Sequence, residues 1–298
     1  MSNGSPPAPR GALGGAVLLA LAALAVSCGS GPGQSGATEG DGVPPARESA
    51  SSPGGDTTDD TPDDDGDDGS PSSGRGPLSG KVVVIDPGHN PGNRKHAGEI
   101  GRSVDIGTGR KECDTTGTST NDGYSEASFT LDVARRIRKL LEAEGATVKL
   151  TQDGSRPYGP CVDERARIGN EARADAAVSV HADGSATGNR GFHVILPAKV
   201  KEGSADTGRI VGPSRDLGER IAAAFMKRTG SAPSNYVGDK GLDVRSDLGG
   251  LNLSKIPKVF IECGNMRDSR EADRLTSAKW RRRAAQGIAD GIGAHLKQ

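Results

Sequence analysis

Hydrophobic and polar positions divide the chain into two parts whose pattern changes near residue 80. Residues 12–26 form one apolar run rich in Ala and Leu, and residues 29–79 contain almost no large apolar side chain. Beyond residue 80, short β-branched runs alternate with segments whose apolar residues recur at the 3.6-residue period of a helix. The pattern predicts strands at residues 81–85, 147–151, 176–180, 191–196 and 258–261, and helices at residues 125–144, 163–173, 216–228 and 277–296. This alternation predicts a single α/β domain with a mostly parallel sheet and helices on both faces.

The apolar run near the start of the chain predicts an export signal. Arg10 precedes the run, which is too short to span a bilayer comfortably. The four residues that end in Cys28 resemble a bacterial lipobox, which implies a lipoprotein signal over residues 1–28 and an acylated Cys28. Acyl chains on Cys28 would anchor the protein to the membrane, facing the cell wall. The alternative is an ordinary signal peptide that is cleaved elsewhere.

Composition and charge separate a linker from a globular domain. Residues 29–79 are rich in Gly, Ser, Pro, Thr and Asp and hold eleven acidic and two basic residues, a net charge of −9. Such a segment buries too little apolar surface to offset its chain entropy, so we expect a disordered tether. Residues 80–298 hold 35 basic and 28 acidic residues, a net charge of +7. A basic exported domain suits anionic wall polymers, and because it lacks an aromatic stacking pattern we expect no nucleic-acid partner.

Three cysteines lie in the predicted globular domain, so at most one pair can form among them. Cys113 and Cys161 lie in loop-like surroundings rich in Gly, Thr and Pro, whereas Cys263 ends an apolar strand. The simplest expectation is a disulfide between Cys113 and Cys161, formed in an oxidising compartment. No C-x-x-C motif is present, and we therefore expect no structural zinc site built from cysteines.

Ionisable side chains follow three of the predicted strands. The stretch KVVVIDPGH ends in His89, and His181 and Glu262 each follow an apolar strand and precede a turn with glycine. Glu126 lies in the first turn of a predicted helix, after Ser125 as the candidate N-cap. Because the carboxyl ends of parallel strands share one edge of a sheet, these four groups can converge. Two imidazoles and a carboxylate form a typical catalytic zinc set, and a further carboxylate can act as the base.

Four motifs in this order resemble the zinc-dependent N-acetylmuramoyl-L-alanine amidases of the type-3 amidase family. They are VVVIDPGHN, YSEASFTLDVARRI, ADAAVSVHAD and VFIECGNM, and the resemblance covers residues 81–296. It implies a mostly parallel sheet of about six strands, one zinc ion bound by His89, Glu126 and His181, and Glu262 as the catalytic carboxylate. It also implies hydrolysis of the amide between the lactyl group of muramic acid and L-alanine in peptidoglycan. Asn90 departs from the family, which usually has a second Gly after DPGH.

Several alternatives stay open at this level. Glu126 could interact only with the helix dipole, since carboxylates favour the first turn of any helix. The same metal chemistry would also suit a zinc peptidase that cuts within the stem peptide, and an amidase scaffold could serve a non-catalytic wall-binding regulator. We expect Arg245 and the SDLGGLNLS stretch after it to line the cleft, and residues 90–124 to be a functional segment such as a hairpin. A monomer is the expected oligomeric state.

Overall fold

The computed structural model describes residues 76–298, which contain ten strands, seven α-helices and one 3-10 turn at Asn93–Lys95. The strands are β1 (Val82–Pro87), β2 (Ser103–Asp105), β3 (Arg110–Glu112), β4 (Thr147–Leu150), β5 (Ala176–Asp183), β6 (His193–Pro197), β7 (Lys201–Glu202), β8 (Ala205–Asp206), β9 (Leu242–Arg245) and β10 (Lys258–Asn265). The helices are α1 (Ala97–Ile100), α2 (Glu126–Ala143), α3 (Val162–Glu171), α4 (Val211–Thr229), α5 (Gly249–Asn252), α6 (Ser269–Thr276) and α7 (Ala278–Leu296). The predicted export signal, Cys28 and most of the predicted linker lie outside the described residues.

Six strands form one sheet in the order β4-β1-β5-β10-β6-β9. Four of its five strand pairings are parallel, and only β10 and β6 run antiparallel. The predicted α/β fold with a mostly parallel sheet is therefore confirmed. Two small hairpins, β2–β3 and β7–β8, stand apart from the sheet, and the first of them lies within the long polar segment for which a hairpin is expected.

The main core lies between one face of the sheet and the long helices α2, α4 and α7. Alternate residues of the central strands, such as Val178, Val180, Val259 and Ile261, pack there with complete burial. Helix α2 begins where the hydroxyl of Ser125 accepts a hydrogen bond from the backbone N–H of Ser128, as expected for an N-cap. The shorter helices α3 and α5 contact each other on the opposite face. This second face carries the polar side chains described below.

Three strands extend by two residues or more beyond their predicted ends. β1 continues through Asp86 and Pro87, which pair with Ser179 and Val180 of β5. β5 and β10 continue to Asp183 and Asn265, so that His181 and Glu262 lie within strands rather than just after them. The edge of the sheet at which the site is expected therefore lies a few residues further along these three strands than predicted.

Helix α4 begins at Val211, before the predicted start at residue 216, and Pro213 lies in its first turn. A proline is tolerated there because the first backbone N–H groups of a helix have no intrahelical partner. The sequence pattern also does not predict β9, which is short and only partly buried. Among the described residues, none of the helices combines the length and apolar character needed to cross a membrane.

Candidate metal centre

Neighbouring strands place His181 and Glu262 side by side. The two residues are register partners in the parallel pair β5–β10, and paired residues of adjacent strands point to the same face of a sheet. Their neighbours Val180, Ala182 and Ile261 face the main core. His181 and Glu262 therefore point away from the long helices, towards an open cleft.

His89 reaches the same cleft from the end of β1. Its backbone has φ +61°, in the left-handed region that a residue with a side chain rarely adopts. The preceding Gly88 continues the strand by donating its N–H to the carbonyl of Val180 at 3.0 Å. The imidazole rings of His89 and His181 then lie nearly perpendicular, with centroids 5.1 Å apart.

Glu126 joins the two histidines. Its Oε1 lies 2.9 Å from Nδ1 of His181, and its Oε2 lies 3.2 Å from Nε2 of His89. The backbone N–H groups of Thr118 and Ala182 donate to the same carboxylate, at 2.9 and 3.2 Å. Glu126 is buried and contacts both histidines, unlike an exposed acid that interacts only with the helix dipole.

The three side chains fit a metal ion. One ligand atom from each of His89, Glu126 and His181 lies within 4.8 Å of the others. With zinc–nitrogen bonds of about 2.0–2.1 Å, the ligand atoms of a tetrahedral site lie about 3.3 Å apart, and the two contacts above, each to a different oxygen of Glu126, are of similar length. Burial lowers the pKa of His89, but the negative charges of Glu126 and Asp114 outweigh it and raise this pKa to about 10. The site thus stabilises positive charge, as a cation site must.

Glu262 lies in the same cleft without taking part in the cluster. The cleft has a volume of about 460 Å³, and His89, Glu126, His181 and Glu262 are among its lining residues. The Oε2 atom of Glu262 is buried and has no hydrogen-bond partner among the described residues. Burial, followed by the charges of Glu126 and Asp183, raises the pKa of Glu262 well above its usual value. An unpartnered buried carboxylate beside a metal-type cluster is a typical arrangement for proton transfer.

A known enzyme family matches most of the chain. The Amidase_3 family, described as N-acetylmuramoyl-L-alanine amidase, matches residues 83–294. The chain belongs to this family. It is 40% identical over 220 residues to N-acetylmuramoyl-L-alanine amidase Rv3717 of Mycobacterium tuberculosis, covering 74% of this chain and 88% of that protein. The crystal structures of Ami1, an N-acetylmuramyl-L-alanine amidase, from Mycobacterium smegmatis and Mycobacterium abscessus are each 38% identical, with TM-scores of 0.67 and 0.66. They cover 74% and 73% of this chain and 98% and 99% of their own chains.

The amidase site has a second layer of polar side chains around His89. The backbone carbonyl of Thr115 lies 3.1 Å from Nδ1 of His89, and Oδ1 of Asp114 lies 3.4 Å from the same nitrogen. A proton on Nδ1 that is donated to these oxygens leaves the lone pair of Nε2 facing Glu126 and His181. On the other ligand, Phe260 stacks on the ring of His181 with centroids 5.2 Å apart.

The sequence analysis missed this layer. Asp114, Thr115 and Phe260 belong to a polar loop and an apolar strand, and their residue types carry no signal for a metal site. Asp86 is different, because a carboxylate directly after a buried β-branched run is unusual and could have been singled out. It is almost completely buried and contacts Arg165 of α3 and Lys258 of β10, at 2.8 and 3.0 Å.

The structure also describes the predicted cysteine pair and Arg245. Cys113 and Cys161 form a disulfide, the predicted pairing, and Cys263 is free and buried. Arg245 ends β9 and lines the cleft that contains Glu262. Its guanidinium makes a paired contact with Asp247, from Nε at 2.8 Å and Nη2 at 2.7 Å.

Proposed function

We propose that this protein is a zinc-dependent peptidoglycan amidase that hydrolyses the amide bond between the lactyl group of N-acetylmuramic acid and the L-alanine of the stem peptide. The observation that carries the proposal is the convergence of His89, Glu126 and His181, with the unpartnered Glu262 in the same cleft. Family membership supports the assignment of the bond that is hydrolysed.

The three clustered side chains would hold one zinc ion. Zinc, when bound, supplies a Lewis acid that polarises the lactyl carbonyl and makes a coordinated water more acidic. A cation at this point also offsets the charge of Glu126, which is one cause of the raised pKa of Glu262. As a general base, Glu262 acts in its anionic form.

Glu262 moves the proton in this proposal. Its carboxylate takes a proton from the attacking water and returns it to the nitrogen of the departing L-alanine. Because the side chain makes no hydrogen bond through Oε2 to the described residues, no other contact has to break before the transfer. One carboxylate therefore serves as base and then as acid.

Arg245, which lines the same cleft, is proposed to bind substrate. Nε and Nη2 are engaged by Asp247, whereas Nη1 makes no hydrogen bond with the described residues. A guanidinium edge suits a carboxylate, and a free carboxylate is a feature of the stem peptide.

The predicted site of action outside the cytoplasm also belongs to this proposal. The Cys113–Cys161 disulfide supports an oxidising compartment, and curated relatives are named cell wall amidases. Anchoring through Cys28, the monomeric state and the lack of a nucleic-acid partner stay predictions, because the described residues do not test them.

The test is Glu262→Gln, measured with zinc content and product mass. We expect about one zinc per chain to be retained while hydrolysis of a muramyl peptide falls by at least about 100-fold, since a general base typically contributes 10²–10⁴-fold. Glu219→Gln, an exposed carboxylate on α4, is the matched control and should keep full activity. A Glu262→Gln variant as active as the control would contradict the role of Glu262.

Product mass separates the proposed activity from the two alternatives. An amidase releases an intact stem peptide that begins with L-alanine, whereas a peptidase acting within the stem releases shorter fragments. A non-catalytic regulator would bind wall fragments and show no turnover after zinc is restored to the metal-free protein.

A further inference from the structure

The buried guanidinium of Arg165 makes hydrogen bonds to the backbone around His89. Arg165 lies in α3, is only 5% exposed, and donates five hydrogen bonds of 2.6–2.9 Å. The acceptors are the Oδ1 of Asp86, the carbonyls of Pro87, His89 and Pro160, and the Oδ2 of Asp114. Every N–H of the guanidinium is thus used, which requires an arginine in this geometry.

Two of these bonds hold the backbone on both sides of Gly88. Nη1 binds the carbonyl of Pro87 at 2.6 Å, and Nη2 binds the carbonyl of His89 at 2.9 Å. Gln152 donates a second hydrogen bond to the His89 carbonyl, at 3.0 Å. His89 has the left-handed φ of +61°, a conformation that persists in a residue with a side chain only when its surroundings enforce it. The carbonyl contacts provide that constraint.

The same guanidinium also reaches the ring of His89 through one intermediate. Nη2 of Arg165 lies 2.9 Å from Oδ2 of Asp114, and Oδ1 of Asp114 lies 3.4 Å from Nδ1 of His89. The disulfide reinforces this link, because Cys161 is the N-cap residue of α3 and Cys113 directly precedes Asp114. The guanidinium of Arg165 therefore constrains both the backbone and the ring of His89.

Lys258 provides the comparison within the same network. Its ammonium lies 3.0 Å from Oδ2 of Asp86 and is as deeply buried as Arg165. It balances charge below the site but makes no hydrogen bond to His89 or to Asp114. Lys258 and Arg165 thus share a structural role, and only Arg165 contacts the residue that ligates.

We propose that Arg165 is the positioning residue of the metal centre, whose guanidinium holds His89 in its ligating conformation and thereby sets the affinity for zinc. The inference rests on the proposed metal-dependent function. It assigns Arg165 no contact with substrate. Its effect appears in metal binding itself and not only in turnover.

The test compares zinc affinity in the full chain, by competition with a chromophoric chelator, for Arg165→Gln, Arg165→Lys and Lys258→Met. Arg165→Gln is expected to raise the Kd for zinc about 10- to 100-fold, the usual effect of removing a group that orients a metal ligand. Lys258→Met should lower the melting temperature of the metal-free protein but leave the Kd within about threefold of wild type. Arg165→Lys keeps a cation against Asp86 and Asp114 but lacks the planar guanidinium with its five N–H groups. This variant should therefore be more stable than Arg165→Gln and still bind zinc more weakly than wild type.

Each outcome bears on the proposal. Wild-type zinc affinity in both Arg165 variants would overturn it, and so would an equal loss of affinity in Lys258→Met, which would indicate general destabilisation. If Arg165→Gln does not fold, Arg165→Lys decides the question, because it retains the buried charge. Failure of the wild-type protein to bind zinc would instead overturn the proposed function.

Discussion

Gly88 is the position at which the smallest change should disable the site without removing any functional group. A Cβ atom added there would lie 2.5 Å from Nδ1 and 2.6 Å from Nε2 of His181. Neither neighbour can yield freely. Gly88 is held by the hydrogen bond from its N–H to Val180 and by the hydroxyl of Thr130, which donates to its carbonyl at 2.7 Å. The His181 ring is stacked on Phe260 and bonded to Glu126.

The size of the effect follows from these distances. Ordinary van der Waals contact with a Cβ begins at about 3.4 Å, and Cε1 of the His181 ring lies nearer still than the two nitrogens, so the ring in Gly88→Ala must retreat by more than about 1 Å. Such a shift would displace the ring relative to Glu126, whose Oε1 lies 2.9 Å from Nδ1 of His181. Misplacement of a functional group by about 1 Å can cost about 100-fold in rate, and overpacking typically destabilises a fold by about 1–3 kcal/mol.

The assay combines zinc affinity, hydrolysis of a muramyl peptide and thermal unfolding. Gly88→Ala should weaken zinc binding and lower activity about 100-fold while most of the molecules stay folded at 25 °C. Gly98→Ala in α1 is the matched control, because a Cβ there meets no atom within 4 Å. Should Gly88→Ala bind zinc and turn over substrate like the control, the reasoning from close contact would be refuted.

Two further predictions concern the framework that supports the site. Replacing Cys113 and Cys161 together by Ser should lower the free energy of unfolding by about 4 kcal/mol, the chain-entropy estimate for a sequence separation of 48 residues. In denaturant titrations, reductant should shift the unfolding midpoint of the wild type but not that of the double variant. An unshifted wild-type midpoint would contradict the prediction. Burial raises the pKa of Asp86, but Lys258 and Arg165 outweigh it and place this pKa far below its usual value. The carboxylate therefore stabilises the fold fully above the unfolded-state pKa of about 3.9, and this stabilisation is lost as the pH falls below that value. Asp86→Asn should lower the free energy of unfolding by about 3–5 kcal/mol at pH 7, because two buried cations lose their counter-charge. The variant should also show a smaller fall in melting temperature between pH 5 and pH 2 than wild type. An unchanged fall, or the same loss of stability in the exposed Asp122→Asn control, would count against the network.

Most of the fold could be predicted from the sequence because it depends on local pattern. The strands β1, β5, β6 and β10 are largely apolar runs, β4 alternates polar and apolar residues, and the helices α2 and α7 show apolar residues at helical spacing after the N-cap residues Ser125 and Ser277. β9 lacks such a pattern. It becomes a strand by pairing with β6, where Leu242 lies opposite Val194, and no local pattern encodes a partner almost fifty residues away.

The residue types of the site were also legible in the sequence. His89, Glu126, His181 and Glu262 are the groups that zinc hydrolysis requires, and the motifs around them resemble one family. The shared strand edge predicted that they converge, but not the contacts among them. Glu126 lies between the two histidines because α2 begins at the sheet edge, and Glu262 stays outside the cluster without a partner for its Oε2.

The support of the site was decided by tertiary structure alone. Arg165 stands 76 positions from His89 and 51 from Asp114 along the chain, on a helix whose charged residues look like an ordinary solvent-facing surface. Only packing of α3 against the sheet brings this guanidinium beneath the DPGH turn, where burial makes each of its hydrogen bonds matter. Sequence by itself determined which chemistry is available, through residue types and local periodicity. Packing between distant segments decided which groups meet, which are desolvated, and which hold the others in place.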